Sequence, residues 1–209
     1  MTTTDILGWL AVVMSATMGL PQLVRLARTR NVEGLSLTSW RLMLTMNLVW
    51  TVHGVVLHQL PMILTNFFVL FTTVPILVLL AREHGRRVVT TMAPSLALAA
   101  AMVAIDLTLG SAAFGVVTTA LAVSTAAGQS VALVRSPHVL GVSALFTVLA
   151  VVYQSLWVAW GLLVHDAGTI MAASAALAMV TFNLLWYVLR RLGLRAFFKL
   201  PLPETVPTA

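Results

Sequence analysis

Long hydrophobic stretches alternate with short polar breaks along the whole chain. A helix that spans a membrane needs about 20 mostly apolar residues, and seven stretches come close to that length. The pattern therefore predicts an all-α membrane protein with seven transmembrane helices. The predicted spans are residues 5–26, 36–57, 60–81, 89–109, 112–134, 141–164 and 167–190.

The basic residues lie in every second break. In a seven-span arrangement they all fall on one side of the membrane, and the positive-inside rule assigns that side to the cytoplasm. The amino terminus is then outside and the carboxyl terminus cytoplasmic. Arg41, one turn into the second span, is expected to snorkel back to the cytoplasmic surface. The basic residues are Arg25, Arg28, Arg30, Arg41, Arg82, Arg86, Arg87, Arg135, Arg190, Arg191, Arg195 and Lys199.

The opposite side carries the acidic residues Asp5, Asp106 and Asp166. Asp106, near the outer end of the fourth span, is expected to be solvated. No acidic residue is expected near the middle of the first three or the last three spans, where proton-coupled carriers generally hold a carboxylate or a similar relay. The sequence therefore favours passive, uniport-like movement over proton symport, and leaves a neutral histidine as the alternative relay.

Composition excludes several classes of protein. Hydrophobic residues make up 60% of the 209 residues and charged residues 9%, against about 25% charged in a soluble domain. Cysteine is absent, which excludes disulfides and thiolate metal sites. The net charge of +6 is accounted for by the orientation signal, so no nucleic-acid partner is predicted.

No enzyme signature occurs in the sequence. A Ser/His/Asp set, metal-ligand spacing and a Gly-rich phosphate loop are all missing, so neither catalysis nor a cofactor or metal is predicted. Eleven arginines against one lysine, with abundant Ala, Val and Leu, hint at a GC-rich bacterial genome. The predicted location is the bacterial inner (plasma) membrane. The opening residues MTTTD lack the basic region of a signal peptide, so the first span is expected to be retained.

The two halves of the chain repeat each other at an offset of 107 residues. The shift gives 11 identities between positions 20 and 58, among them Trp50 with Trp157. Equivalent positions then face the same way in the membrane, as in repeat-built transporters whose substrate sites lie near the midplane. The prediction is two parallel three-helix repeats joined by a linker helix. Its parts are a first repeat (1–81), a cytoplasmic loop with linker helix 4 (82–111), a second repeat (112–190) and a cytoplasmic tail (191–209).

The segment PQLVRLARTRNVEGLS at 21–36, followed by NLVWTVHG at 47–54, resembles the PQ-loop superfamily. It is most similar to the SWEET and SemiSWEET sugar transporters of that superfamily. The similarity covers residues 5–190, although the counterparts GQSVALVRSPHVLGVS and QSLWVAWG are degraded. The resemblance implies transport of a small polar solute, foremost a mono- or disaccharide, by alternating access between the two repeats.

Trp50 and Trp157 are the first substrate-binding candidates, and each has an amide, Asn47 or Gln154, three positions before it. Residues three apart share a helix face. Indoles stack on the apolar C–H faces of sugars, and amides hydrogen-bond sugar hydroxyls. The alternatives are interfacial anchoring for the tryptophans and interhelical hydrogen bonding for the amides.

Asn66 follows Trp50 by sixteen residues, a spacing similar to that of the substrate pair in SemiSWEET units. The resemblance therefore assigns Asn66 to the substrate. Its equivalent in the second half is Ala173, with Ser174 adjacent. The predicted site is accordingly asymmetric.

Pro21 has no amide hydrogen and leaves the carbonyl of Thr17 without a helical partner, which predicts a kink. The resemblance implies that Pro21 and Gln22 form a hinge and an inner gate, with a static kink as the alternative. Their equivalents are Gly128 and Gln129, so the second half lacks the proline.

His53 and its equivalent Trp160 lie nearer the outer face and are candidates for an outer gate. For His53 a simple interfacial position is the alternative.

Two other functions stay open. One is an amino-acid transporter similar to the lysosomal PQ-loop carriers, and the other is a non-transporting receptor or assembly protein on the same scaffold. The predicted partners are the solute and the lipid bilayer. A chain that contains both repeats can be complete as a monomer, and a homo-oligomer is also compatible with the sequence.

Overall fold

The computed structural model describes residues 2–29, 36–135 and 144–194, and helices account for almost all of them. No strand occurs within these ranges, which confirms the all-α fold class. Each predicted span overlaps one helix. The helices are α1 (Thr3–Thr29), α2 (Leu37–Val56), α3 (Leu60–Glu83), α4 (Val88–Leu109), α5 (Ser111–Arg135), α6 (Ala144–Val164) and α7 (Ala167–Arg191).

Four of the described helices, α3, α4, α6 and α7, are long and apolar enough to cross a membrane. Helices α1 and α5 contain the shorter apolar segments Thr3–Thr17 and Ser111–Ser124. Large apolar side chains also cover the outside of the bundle, for example Phe71 at 61% exposure and Leu107 at 63%. Apolar surface on this scale is unfavourable in water, so the structure is that of an integral membrane protein.

The helices pack in two groups of three. Helix α3 contacts both α1 and α2, and α7 contacts both α5 and α6. Between the groups, α1 packs broadly against α6, whereas α2 and α5 touch over a smaller area. Helix α4 packs mainly against α2, with smaller contacts to α5 and α3.

One helix boundary follows the same offset as the sequence identities. Adding 107 to 60, the first residue of α3, gives 167, the first residue of α7. The turns before α3 and α7 match as well, because His58 and His165 both adopt the left-handed conformation, with φ of 55° and 56°. Non-glycine residues rarely adopt this conformation, so the two turns share an unusual geometry.

Small residues bring the helix starts together at equivalent places in the two groups. A Cβ on Gly8 of α1 would lie 2.6 Å from Cβ of Pro61 on α3. A Cβ on Gly115 of α5 would lie 2.9 Å from Cα of Gly168 on α7. Glycine is therefore required at both positions if the helices are to stay this close.

Arg41 makes contacts with α4 that its prediction did not include. Its Nε donates a hydrogen bond of 2.7 Å to the carbonyl of Thr91 on α4, and Ser95 Oγ donates one of 2.9 Å to the carbonyl of Arg41. The hydroxyl of Thr45 lies between the carbonyls of Arg41 and Ser95, 3.2 Å from each. Arg41 thus helps to hold α4 against α2.

Candidate functional site

Five buried residues form the tryptophan cluster: Ala11, Met62, Trp157, Trp160 and Ala173. They come from α1, α3, α6 and α7, so the cluster lies where the two groups of helices meet. The rings of Trp157 and Trp160 meet edge to face, with centroids 5.4 Å apart and planes at 74°. This arrangement is favourable for aromatic pairs.

Trp50 reaches the tryptophan cluster from α2 and packs against it. Its ring also meets Phe114 of α5 edge to face at 5.0 Å and His53 at 5.5 Å. The structure therefore brings Trp50 and Trp157, which occupy equivalent positions at the 107-residue offset, into one aromatic region.

Beside Trp50 lies a polar group that we call the histidine cluster: His53, Asp106, Ser111 and Asp166. The Nδ1 atom of His53 lies 2.7 Å from Oδ2 of Asp106, and its Nε2 atom lies 3.1 Å from Oδ2 of Asp166. Ser111 Oγ donates to Oδ1 of Asp166. The three ionisable side chains are almost fully buried.

Helix ends position every member of the histidine cluster. His53 is in the last turn of α2, Asp106 in the last turn of α4, and Ser111 is the first residue of α5. Asp166 is the N-cap of α7 and accepts a 2.7 Å hydrogen bond from the amide of Thr169, as N-cap carboxylates commonly do. The cluster thus fixes the end of the bundle at which α2, α4 and α6 finish, and we call this the His53 end.

The environment favours the ionised form of Asp166. Burial alone would raise the pKa of its carboxyl group, but hydrogen bonds from His53, Ser111 and Thr169 together outweigh burial and hold the pKa well below its ordinary value. Hydrogen bonds to the charged form of a carboxyl group have this effect. The hydrogen bonds around Asp166 therefore favour its charged form beside His53.

Two predictions need correction here. His53 is fully buried, so the alternative of a simple interfacial histidine is wrong; its ring stacks on Phe114 with centroids 4.5 Å apart. Asp106 was expected to be solvated, yet it is 5% exposed and bonded to His53. The physical reason is that α4 packs on α2 with this face inward, which hydropathy alone cannot reveal.

The predicted amides bond to their own helices. Asn47 is buried, and its Nδ2 donates to the carbonyl of Met43. Asn66 is partly buried, and its Nδ2 donates to the carbonyl of Met62, which places it one turn beyond the tryptophan cluster. Gln154 is partly buried. No hydrogen bond links these amides to one another within the described residues.

Two further candidates, Ser174 and Trp160, differ in their exposure. Ser174 is exposed, whereas Ala173 beside it lies in the tryptophan cluster. Trp160, predicted as an outer-gate residue, is 1% exposed, and its indole N–H has no partner among the described residues. A buried donor of this kind is available to a hydroxyl or water.

The predicted inner-gate residues lie within α1 and α5, both of which continue through them as helix. The side chains of Pro21, Gln22 and Gln129, and the surroundings of Gly128, lie outside the described part of the chain. Their role as hinge and gate stays a prediction.

Sequence reasoning missed that Asp106 and Asp166 meet at His53. A signal was present, since all three residues lie near predicted span ends on the side without basic residues. Residues at one end of a bundle are candidates for contact, and an ionisable residue in a span is seldom left without a partner.

Comparison with known proteins supports part of this picture. A family model described as the PQ loop repeat matches residues 3–63, which cover α1, α2 and the start of α3. A search of curated proteins gives no match. The apolar helices and the match at 3–63 together support the PQ-loop superfamily as the family to which this membrane protein is similar.

Proposed function

We propose that the chain is a transporter that moves a small polar solute, foremost a mono- or disaccharide, down its own gradient. In this proposal α1–α3 and α5–α7 are two parallel units, and α4 is the linker that returns the chain to the correct side. The amino terminus is outside and the carboxyl terminus is cytoplasmic in a bacterial inner membrane, as the distribution of basic residues favours.

One observation carries the proposal: equivalent tryptophans from the two units, Trp50 and Trp157, lie in one aromatic region between the units. A site shared by two units is remade whenever the units rock against each other. That is the arrangement alternating access requires, with the solute held near the interface of the repeats.

The chemistry of the region suits a sugar. Indole faces can stack on the apolar C–H faces of a pyranose, and the unpartnered indole N–H of Trp160 can donate to a hydroxyl. The amides of Asn47 and Asn66, now bonded to Met43 and Met62, can exchange those bonds for solute hydroxyls at little cost because each amide keeps a partner.

The two ends of the bundle have different parts in the proposed cycle. The broad packing of α1 on α6 and the histidine cluster hold the His53 end closed. At the opposite end, Pro21 and Gln22 form the hinge and gate that the PQ-loop resemblance implies. Opening one end while the other stays closed gives alternating access.

The test is counterflow of labelled solute into proteoliposomes without a pH gradient. Glucose and sucrose are compared with neutral and cationic amino acids. Trp50→Ala removes an indole from the proposed site, and Trp9→Ala removes one that is 39% exposed on α1 as the matched control.

We expect sugar counterflow that is lost in Trp50→Ala and kept in Trp9→Ala. Amino-acid flux alone would replace the sugar assignment by the amino-acid carrier. No flux of any solute by well-folded protein would overturn the transporter and favour a receptor or assembly role.

A further inference from the structure

The hydrogen bonds of the histidine cluster determine how many protons it must hold. Both ring nitrogens of His53 face carboxylate oxygens, at 2.7 Å and 3.1 Å. An ionised carboxylate only accepts hydrogen bonds, and a neutral imidazole has one donor and one acceptor. The observed geometry therefore needs one proton more than a neutral histidine and two carboxylates provide, whichever of the three groups carries it.

Loss of that proton leaves an unfavourable contact. One ring nitrogen lone pair would face an oxygen lone pair, and two buried negative charges would have no cation between them. Burial makes such a state costly. The weaker contact, the longer one between His53 and Asp166, is the one expected to break.

The same contact holds the two units together. His53 belongs to α2 of the first unit, and Asp166 is the N-cap of α7 in the second. Ser111 at the start of α5 donates to Asp166 and accepts from the amide of Gly168. Breaking the contact between His53 and Asp166 removes a direct link between the units at the His53 end.

We propose that His53, Asp106 and Asp166 form a proton-binding site that holds the His53 end closed, so that opening this end releases one proton to the compartment it faces. The proton moves from the cluster to water on opening and returns on closing. It does not cross the membrane, so the solute still moves down its own gradient. The link to solute movement rests on the proposed function, whereas the proton-dependent opening does not.

The groups that surround His53 include no ionisable side chain other than Asp106 and Asp166 among the described residues. The elements that surround His53 contribute Asp106 from α4, Ser111 from α5, and Asp166 with Thr169 from the start of α7. The ring also lies against Trp50 and Phe114. His58 and His165, in the turns before α3 and α7, are exposed and serve as controls.

The sign of the pH dependence follows from linkage. The closed state binds one proton more than the open state, so closure is favoured at low pH and lost as pH rises. The cluster has one proton affinity in the closed state and a lower one in the open state. At pH values between these two, the ratio of open to closed molecules rises about tenfold for each pH unit.

The experiment measures the opening directly. Because the chain has no cysteine, Val55→Cys and Leu162→Cys can be introduced as the sole labelling sites. They lie at equivalent positions of α2 and α6, are 53% and 54% exposed, and carry spin labels. Distance distributions are recorded by pulsed electron paramagnetic resonance in nanodiscs between pH 5 and pH 10, without solute.

Asp106→Asn is the decisive variant. The side chain of Asp106 bonds only to His53 among the described residues, and the introduced amide can donate to a neutral Nδ1 while Nε2–H donates to Asp166. The closed state then needs no extra proton. His53→Gln is the second variant, and His58→Asn is the matched control because asparagine tolerates the left-handed backbone at that position.

We expect a single shorter distance at low pH and a longer one at higher pH. The ratio of the longer to the shorter distance should rise about tenfold per pH unit over part of the range, and His58→Asn should leave this dependence unchanged. Asp106→Asn and His53→Gln should lose this dependence. An identical distribution at every pH in the otherwise native protein would overturn the proposal, as would an unaltered pH dependence in either variant. Absence of solute flux in the separate counterflow assay would bear on the transporter alone.

Discussion

The two groups of helices, α1–α3 and α5–α7, share a backbone and differ in chemistry. Their third helices start at positions 107 residues apart, and both groups contain the same left-handed histidine in the turn between the second and third helix. Yet His53 of the first group is replaced by Trp160 in the second, and Asp166 of the second corresponds to Gln59 in the first. The first group supplies the imidazole and the second the carboxylate that meets it.

A contact between the first and third helix of each group also differs in chemistry. Leu23 and Ile76 pack in an apolar cluster between α1 and α3. At the equivalent positions Ser130 Oγ donates a 2.8 Å hydrogen bond to Oδ1 of Asn183, which joins α5 to α7. The repeat thus conserves where helices touch, and it leaves open whether the contact is apolar or polar.

The largest expected effect comes from the turn before the third helix of each group. Asp166→Ala removes an N-cap and the acceptor of His53 and Ser111, so the free energy of unfolding should fall by about 3–5 kcal/mol. Gln59→Ala is the matched change in the first group, where Gln59 makes no capping hydrogen bond, and should cost well under 1 kcal/mol. Unfolding in mixed detergent measures both. Equal losses in the two variants would contradict the difference between the groups.

The next effect tests what the groups share. Gly115→Val places side-chain atoms against the backbone of Gly168, and overpacking of this kind costs about 1–3 kcal/mol. Gly8→Val should lower stability by a similar amount, because its side chain would collide with Pro61. Ala112→Val, at an exposed position of α5, controls for helix propensity. Melting temperatures that match that control would show that the close approach of these helices is not needed.

The smallest effect concerns the polar contact between α5 and α7. Asn183→Leu should lower the free energy of unfolding by about 1 kcal/mol because it removes one hydrogen bond, while Ser130 keeps its bond to the carbonyl of Ala126. Adding Ser130→Ala should then cost little more, since the partner is already gone. A double-mutant cycle with additive losses would show that the two side chains do not interact.

Hydropathy and the repeat predicted much of this fold, because both depend on the sequence alone. The predicted spans overlap the helices, and the equivalent residues Trp50 and Trp157 lie in one aromatic region. The histidine cluster was not predicted because its contacts are long-range. His53 and Asp106 are separated by 53 positions in the chain, and His53 and Asp166 by 113 positions. Which face of α4 turns inward depends on packing against α2, and no periodicity in so uniformly apolar a helix reports it.

Sugar counterflow in Trp50→Ala and Trp157→Ala, side by side with Trp9→Ala, tests most directly whether the two units form one site. Loss of stacking of about 1.4 kcal/mol corresponds to a tenfold change, so both cluster variants should slow exchange at least about tenfold and to a similar degree. Trp9→Ala should leave exchange unchanged. Wild-type exchange rates in both folded cluster variants would contradict a shared site at Trp50 and Trp157.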